Sequence, residues 1–109
     1  MALAVVASGT QTATVTTEHT LATDTTGKTY VLVVDAVAML KGDYLELRIK
    51  TKVLSGGAEG LAYYATYANV QGEPIKYSIP VPANISCVAT LKQTAGTSRN
   101  FPWSLLSID

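Results

Sequence analysis

The sequence contains one cysteine, one histidine and no excess charge of either sign. Its 109 residues carry eight basic and eight acidic side chains, so the formal net charge is zero. A single cysteine excludes an intrachain disulfide and favours synthesis in a reducing cytosol. Balanced charge argues against binding of nucleic acid through a basic surface. Charged residues make up 15% of the chain, against about 25% in typical domains, which fits a surface that packs against other proteins.

Patterns that carry catalysis or metal binding are also missing. His19 stands alone between Glu18 and Thr20, whereas a metal site needs several donors. Cys87 has the inward parity of its predicted strand, which favours a buried small hydrophobe over a nucleophile. The acidic residues are dispersed and suggest neither a carboxylate pair nor a calcium loop. The glycine-rich residues 56–60 lack the Gly-Lys-Ser/Thr of a phosphate-binding loop. We therefore predict a non-enzymatic protein with no cofactor and no metal.

The first nine residues, Met-Ala-Leu-Ala-Val-Val-Ala-Ser-Gly, are largely apolar. They lack the positively charged start of a secretory signal, and the apolar run is too short to cross a bilayer. We predict no targeting segment and no membrane association.

Residues 43–53 show the clearest pattern in the chain. Apolar or β-branched residues alternate with charged ones, and strand side chains alternate between the two faces of a sheet. The first set is Leu45, Leu47, Ile49, Thr51 and Val53, and the second is Glu46, Arg48, Lys50 and Lys52. We predict one long strand with a buried apolar side and a charged side facing water.

Six other segments also resemble strands, which gives about seven in all, and turn signals recur roughly every 8–12 residues, as in a sandwich or barrel. These segments are residues 11–21, 30–34, 61–70, 75–81, 85–92 and 104–108, while residues 3–7 suit either a first strand or an arm. We predict a single antiparallel β-sandwich of jelly-roll type, with an immunoglobulin-like sandwich as the alternative. Residues 1–9 are expected to form an N-terminal arm or short strand, and residues 10–109 the sandwich domain.

Several local expectations follow from composition. The threonine-rich residues 11–21 suit an edge strand, and Pro80 places the end of its own strand at an edge or bulge. Asp35 is expected to cap a short helical turn closed by Gly42, or else to begin an irregular connection whose Leu40 lies under the sheet. Residues 101–103, Phe-Pro-Trp, are expected to fill one end of the core.

Two regions are candidate contacts with a partner. Leu3, Val5 and Val6 would present an apolar arm, and the flexible loop around Gly57 and Glu59 would become ordered against a neighbouring subunit. A different possibility is a carbohydrate-binding module that stacks sugars on the tyrosines of one strand, which are Tyr63, Tyr64 and Tyr67.

Three segments resemble a group of short virion proteins of tailed bacteriophages. They are residues 29–35 (Thr-Tyr-Val-Leu-Val-Val-Asp), residues 42–56 (Gly-Asp-Tyr-Leu-Glu-Leu-Arg-Ile-Lys-Thr-Lys-Val-Leu-Ser-Gly) and residues 101–109 (Phe-Pro-Trp-Ser-Leu-Leu-Ser-Ile-Asp). The resemblance covers most of the chain and includes no catalytic signature.

This resemblance implies an assembly role in a phage particle after synthesis in the host cytoplasm. The leading expectation is a capsid decoration (cement) protein that binds the major capsid protein or other virion proteins and forms a homo-oligomer in the particle. The alternative within virions is a structural component of the tail or of the head–tail connector.

Overall fold

The computed structural model describes residues 3–108, which form nine β-strands and no helix. The strands are β1 (Leu3–Thr12), β2 (Glu18–Asp24), β3 (Lys28–Asp35), β4 (Tyr44–Thr51), β5 (Gly60–Ala68), β6 (Ile75–Tyr77), β7 (Val81–Ala83), β8 (Cys87–Ala95) and β9 (Asn100–Ile108). Sheet A has the order β1-β9-β3-β6, with β7 also paired to β3, and sheet B has the order β2-β8-β4-β5. The two antiparallel sheets pack as a sandwich.

The strand pairs are nested within one another along the chain. β1 pairs with β9, β2 with β8, β3 with β6 and β7, and β4 with β5. Successive pairs alternate between sheet A and sheet B. This is the order of a jelly roll, and it differs from the ABED and CFG sheets of an immunoglobulin domain. The sandwich prediction is confirmed, and the jelly-roll form of it agrees with the observed strand order.

The alternating segment forms β4 at the centre of the core. Leu45, Leu47 and Ile49 are buried, while Glu46 and Arg48 lie on the outer side. The strand ends at Thr51, so the prediction that Val53 continues the apolar side is wrong. Val53 is 91% exposed, because the chain has left the ladder for the loop before β5.

The neighbouring strands supply the rest of the core with the same period of two. Tyr30, Leu32 and Val34 of β3 are buried from sheet A, and Cys87, Ala89 and Leu91 of β8 are buried from sheet B. Phe101 is buried and Trp103 packs against the core, so residues 101–103 contribute to the interior as predicted, although they do so within β9.

The first described residues form a strand of ten residues where an arm or a short strand was predicted. Leu3 to Thr12 pairs with β9 along its whole length, so the predicted boundary at residue 9 falls inside β1. A register shift between Val5 and Ala7 marks a β-bulge, and Val6 packs against the core there. Residues 1, 2 and 109 of the predicted arm and domain lie outside the described residues.

The threonine-rich segment is not one continuous strand, contrary to prediction. β1 ends at Thr12, and β2 begins at Glu18 as an edge strand of sheet B. Between them Ala13 is buried and Thr16 has a φ of 71°. His19 stabilises this turn, because its Nε2 accepts the backbone N–H of Thr14 at 3.0 Å.

The connection from β3 to β4 contains no helical turn, so that expectation for Asp35 is wrong. The Asp35 carboxylate instead accepts the N–H of Val37 at 3.0 Å, which favours a tight turn. The side chain buried here is Met39, whereas Leu40 is exposed. The expectation that Leu40 lies under the sheet is therefore also wrong.

A buried carboxylate joins this connection to the loop between β8 and β9. Asp43 accepts the N–H groups of Leu40 at 2.9 Å and Thr97 at 3.0 Å, and it forms an ion pair with Arg99 Nε at 2.8 Å. Burial would raise the pKa of Asp43, but these donors and the Arg99 charge outweigh burial and hold the pKa of the carboxyl below its usual value. Gly96 has a φ of 94°, and a Cβ there would overlap the Asp43 carboxylate.

The edge of sheet A beside β3 is built from two short strands. β6 and β7 both pair with β3, and residues 78–80 between them contain Pro80, so the edge prediction for this proline is confirmed. Ser78 fills the gap, because its hydroxyl accepts the N–H of Leu32 at 2.8 Å. Lys76 extends over the ring of Tyr67 in the other sheet, at 4.8 Å from the centroid. The apolar residues of β6 therefore lie on the outside.

Candidate docking surfaces

Part of the outer side of sheet A is apolar on each of its three long strands, β1, β9 and β3. In β1, Leu3 lies opposite Ile108 and Val5 opposite Leu106. Leu106 in turn lies opposite Val31 of β3. The strand alternation places these side chains outside because their sequence neighbours, such as Leu105, are buried. Leu3 is 68% exposed and Val5 is 62% exposed.

The same surface continues to the edge strand β6. Val33 lies opposite Tyr77, and Asp35 lies opposite Ile75. Among the outward-facing residues of sheet A that the structure describes, Asp35 at one corner is the charged one. We name as the apolar face the set Leu3, Val5, Val31, Val33, Ile75, Tyr77, Leu106 and Ile108. Contiguous apolar surface of this kind marks an interaction site when it exceeds the few hundred Å² usual for monomers.

A groove crosses the apolar face next to its largest side chains. Ser8 and Ser104 lie opposite each other, in the row beyond Val5 and Leu106. These small residues form part of an open depression of about 400 Å³ whose wall also includes Val33, Ile75 and the charged Asp35. The face therefore presents a ridge of large side chains beside a groove of small ones.

A second exposed apolar cluster lies at the hairpin between β4 and β5. Val53 and Leu54 are 91% and 71% exposed, and Leu61 is also exposed. We name residues 52–61 the hairpin tip. It encloses a shallow depression of about 280 Å³, and its turn is closed by a hydrogen bond of 2.9 Å from the Gly57 N–H to the Leu54 carbonyl. Three apolar side chains on a projecting loop suit insertion into a partner.

The outer side of sheet B is charged, in contrast to sheet A. Its two acids are each paired with a base, Glu18 with Lys50 at 3.1 Å and Glu46 with Arg48 at 2.8 Å. Lys92 lies between Glu18 and Glu46 in the strand register. The Arg48 guanidinium also lies 4.9 Å from the ring centroid of Tyr64. Because these paired side chains have partners on their own sheet, they need no partner from another protein.

The structure divides the predicted contact residues between these surfaces. Leu3 and Val5 belong to the apolar face, whereas Val6 packs against the core and is unsuited to contact. Gly57 and Glu59 belong to the hairpin tip. The larger part of the apolar face, from β3, β6 and β9, was missed. Its only signal in the sequence was the apolar residues at the outward positions of those strands, which cannot be told from core residues without the sheet order.

The three tyrosines of β5 do not form one sugar-stacking platform. Tyr63 and Tyr67 lie opposite Ile49 and Leu45 and pack against the core. Burial, followed by a hydrogen bond with Tyr67, raises the pKa of Tyr63 to about 12. Tyr64 lies on the outer side, where its hydroxyl donates to Glu46 at 3.0 Å.

The nucleophile and metal candidates from the sequence are dispersed or buried. Cys87 is buried as predicted, and desolvation together with the nearby Asp24 charge raises the pKa of its thiol to about 11. A thiol with this pKa is a poor nucleophile at neutral pH. Within residues 3–108, no three His, Cys, Asp or Glu side chains are placed to hold a metal ion.

Comparison with known protein families, with curated proteins and with solved structures finds no match to this chain. Among the described residues, no helix has the length and apolar character needed to cross a membrane.

Proposed function

We propose that this chain is a structural protein of a tailed-bacteriophage particle, and specifically a decoration protein that stabilises the head. The observation that carries the proposal is the placement of its exposed apolar residues. Leu3, Val5 and Tyr77 lie on the apolar face, and Val53 and Leu54 lie at the hairpin tip, which are surfaces suited to protein contact. The jelly-roll order adds support by analogy only, since this fold occurs in viral capsid proteins and also in lectins and cupins.

Stabilisation of a head lattice would follow from mass action. A protein that binds the assembled lattice but not its separated subunits raises the free energy of taking the lattice apart. Many weak contacts, repeated over the shell, add up to a large effect without chemistry at any one copy. The hairpin tip is the lattice contact in this proposal, because Val53 and Leu54 are the two most exposed large hydrophobic side chains of the described residues.

Co-sedimentation with heads tests the proposal directly. Heads of the phage that encodes this chain, prepared without the protein, should bind purified protein to saturation and should then resist heating better. Protein that stays in the supernatant with mature heads would remove the decoration assignment. Density confined to the tail or to one vertex in cryo-EM of the whole particle would favour the tail or connector alternative.

A pair of matched variants tests the hairpin tip. Val53→Ser should weaken head binding about tenfold or more, because a fully exposed anchor loses its contact. Val70→Ser makes the same change at an exposed valine in the turn before β6, and it should bind like the wild type. Equal binding by both variants would show that the tip is not the lattice contact.

A further inference from the structure

We propose that the apolar face binds the apolar face of a second copy of this chain about a two-fold axis. The proposal rests on the proposed assembly role in one respect, which is that this face contacts protein. It identifies the occupant of the face, which leaves the hairpin tip free for a different partner.

The absence of repulsion is the first reason to place a second copy there. Two identical surfaces can meet only if their like charges do not face each other. On this side of sheet A the charged residue is Asp35, which lies at the end of β3 in the wall of the groove. It is two rows away from Val5 and Leu106, so a two-fold axis between the ridge and the groove does not place the two copies of Asp35 against each other. The chain as a whole has zero net charge, so two copies approach without long-range repulsion.

The shape of the face is the second reason. A two-fold interface is self-complementary, so a feature on one copy must fit a different feature of the same surface on the other. The ridge of Val5 and Leu106 lies one row from the groove of Ser8 and Ser104. Rotation by 180° about an axis between these rows places the ridge of each copy in the groove of the other.

Sheet A is large enough to carry a dimer interface. The molecule measures 40 × 30 × 19 Å along its principal axes, so the outline of its broad side exceeds the ~800 Å² per partner of a standard protein interface. The apolar face takes up the part of this sheet that runs from Leu3 on β1 to Tyr77 on β6.

The opposite surface explains why association would stop at two copies. Sheet B presents paired charges, namely Glu18 with Lys50 and Glu46 with Arg48, that are satisfied within one chain. A face-to-face dimer therefore covers its apolar sheets and exposes two charged sheets. Such an assembly is closed and does not extend into fibres.

Sedimentation equilibrium of the purified protein tests the proposal. The wild type should sediment at twice its 11.5 kDa chain mass at concentrations of about 1 to 100 µM, the range expected for an interface of this size. Val5→Lys should raise the dissociation constant about 100-fold or more, because two buried lysines per dimer lose their water. Tyr77→Lys, on the opposite edge of the same sheet, should act in the same direction.

Thr66→Lys is the matched control, since it places the same lysine on an exposed position of an edge strand in sheet B. It should leave the dimer intact, and circular dichroism should show the same fold for all three variants. A wild type that remains monomeric to about 100 µM would overturn the proposal. A dimer that survives both Val5→Lys and Tyr77→Lys would overturn it too, because the interface would then lie elsewhere.

The two proposals fail separately. A monomer that still co-sediments with heads would remove the dimer and retain the virion role. A protein that dimerises but does not bind heads would support the dimer interface and rule out the decoration assignment.

Discussion

Asp43 has the largest structural role of any single charged residue described here. Its carboxylate holds two backbone N–H groups and a guanidinium, and its own carbonyl accepts the N–H of Asn69 at 2.8 Å. These contacts join the turn before β4, the turn after β5 and the loop before β9 at one end of the sandwich. The arrangement is structural, because each carboxylate oxygen accepts hydrogen bonds from groups of the chain itself.

Asp43→Ala should therefore destabilise the fold by about 2–4 kcal/mol, through lost charge-assisted hydrogen bonds and an Arg99 left without its partner. Urea unfolding followed by tryptophan fluorescence would measure the change. Glu73→Ala removes an exposed carboxylate and should change stability by less than about 0.5 kcal/mol. An Asp43→Ala protein as stable as the control would contradict the network described above.

The same carboxyl predicts how stability changes in acid. Its pKa in the folded state lies below the ordinary value of 3.8, so its stabilising contribution is complete above that value. The contribution is lost as the pH falls from about 4 towards the folded pKa. The free energy of unfolding of the wild type should drop in this range, and that of Asp43→Asn should drop less. Parallel pH profiles for the two proteins would count against Asp43 as a source of the acid sensitivity.

The burial of Cys87 and the contacts of Asp43 differ in how far the sequence predicts them. The burial of Cys87 followed from its parity within one strand, which is a local signal. The partners of Asp43 are Thr97 and Arg99, more than fifty positions along the chain. No period or spacing connects residues so far apart, so this network could not have been predicted.

Among the elements, β4 is the one whose sequence specified its environment most fully. Its period of two predicted the burial of Leu45, Leu47 and Ile49, and strands on both sides confirm a central position. Only the end of the strand was misplaced, because the apolar Val53 extends the alternation after the ladder has stopped.

Leu47→Ala should cost about 2–5 kcal/mol, because it opens a cavity between the two sheets. Denaturant unfolding would measure the loss as a lower midpoint with an unchanged slope. Leu54→Ala removes the same atoms from an exposed site at the hairpin tip and should be nearly neutral. A midpoint that does not move in Leu47→Ala would place this side chain outside the core.

Elements at the edges of the sheets were harder to interpret from sequence. In β6 and the residues after it, Ile75 and Tyr77 alternate with Lys76 and Ser78 as core residues would. The structure reverses this expectation, since Lys76 lies over Tyr67 and Ser78 is buried. An inward lysine at an edge protects the sheet from pairing with other chains, and the apolar partners then face outwards. The sequence cannot distinguish this arrangement from an ordinary core strand.

For the whole molecule, the all-β class and the sandwich followed from strand number and turn spacing. The nested pairing did not, because it depends on which strands meet across long separations, as β1 does with β9. The functional surfaces depend on that pairing. Leu3 and Val5 were predicted as contact residues because they are apolar and lie near the start of the given sequence. Leu106 and Val31 join them only once β9 is known to lie between β1 and β3.

The position of β9 has a consequence for biosynthesis. This strand, the last in the described chain, fills the place between β1 and β3 in sheet A. While the ribosome is still translating it, β1 has no strand to join and Leu32 has no cover on that side. The nascent polypeptide therefore cannot complete this sandwich until β9 has been translated. Its apolar segments stay accessible to chaperones at the ribosomal exit tunnel until residues 100–108 have emerged.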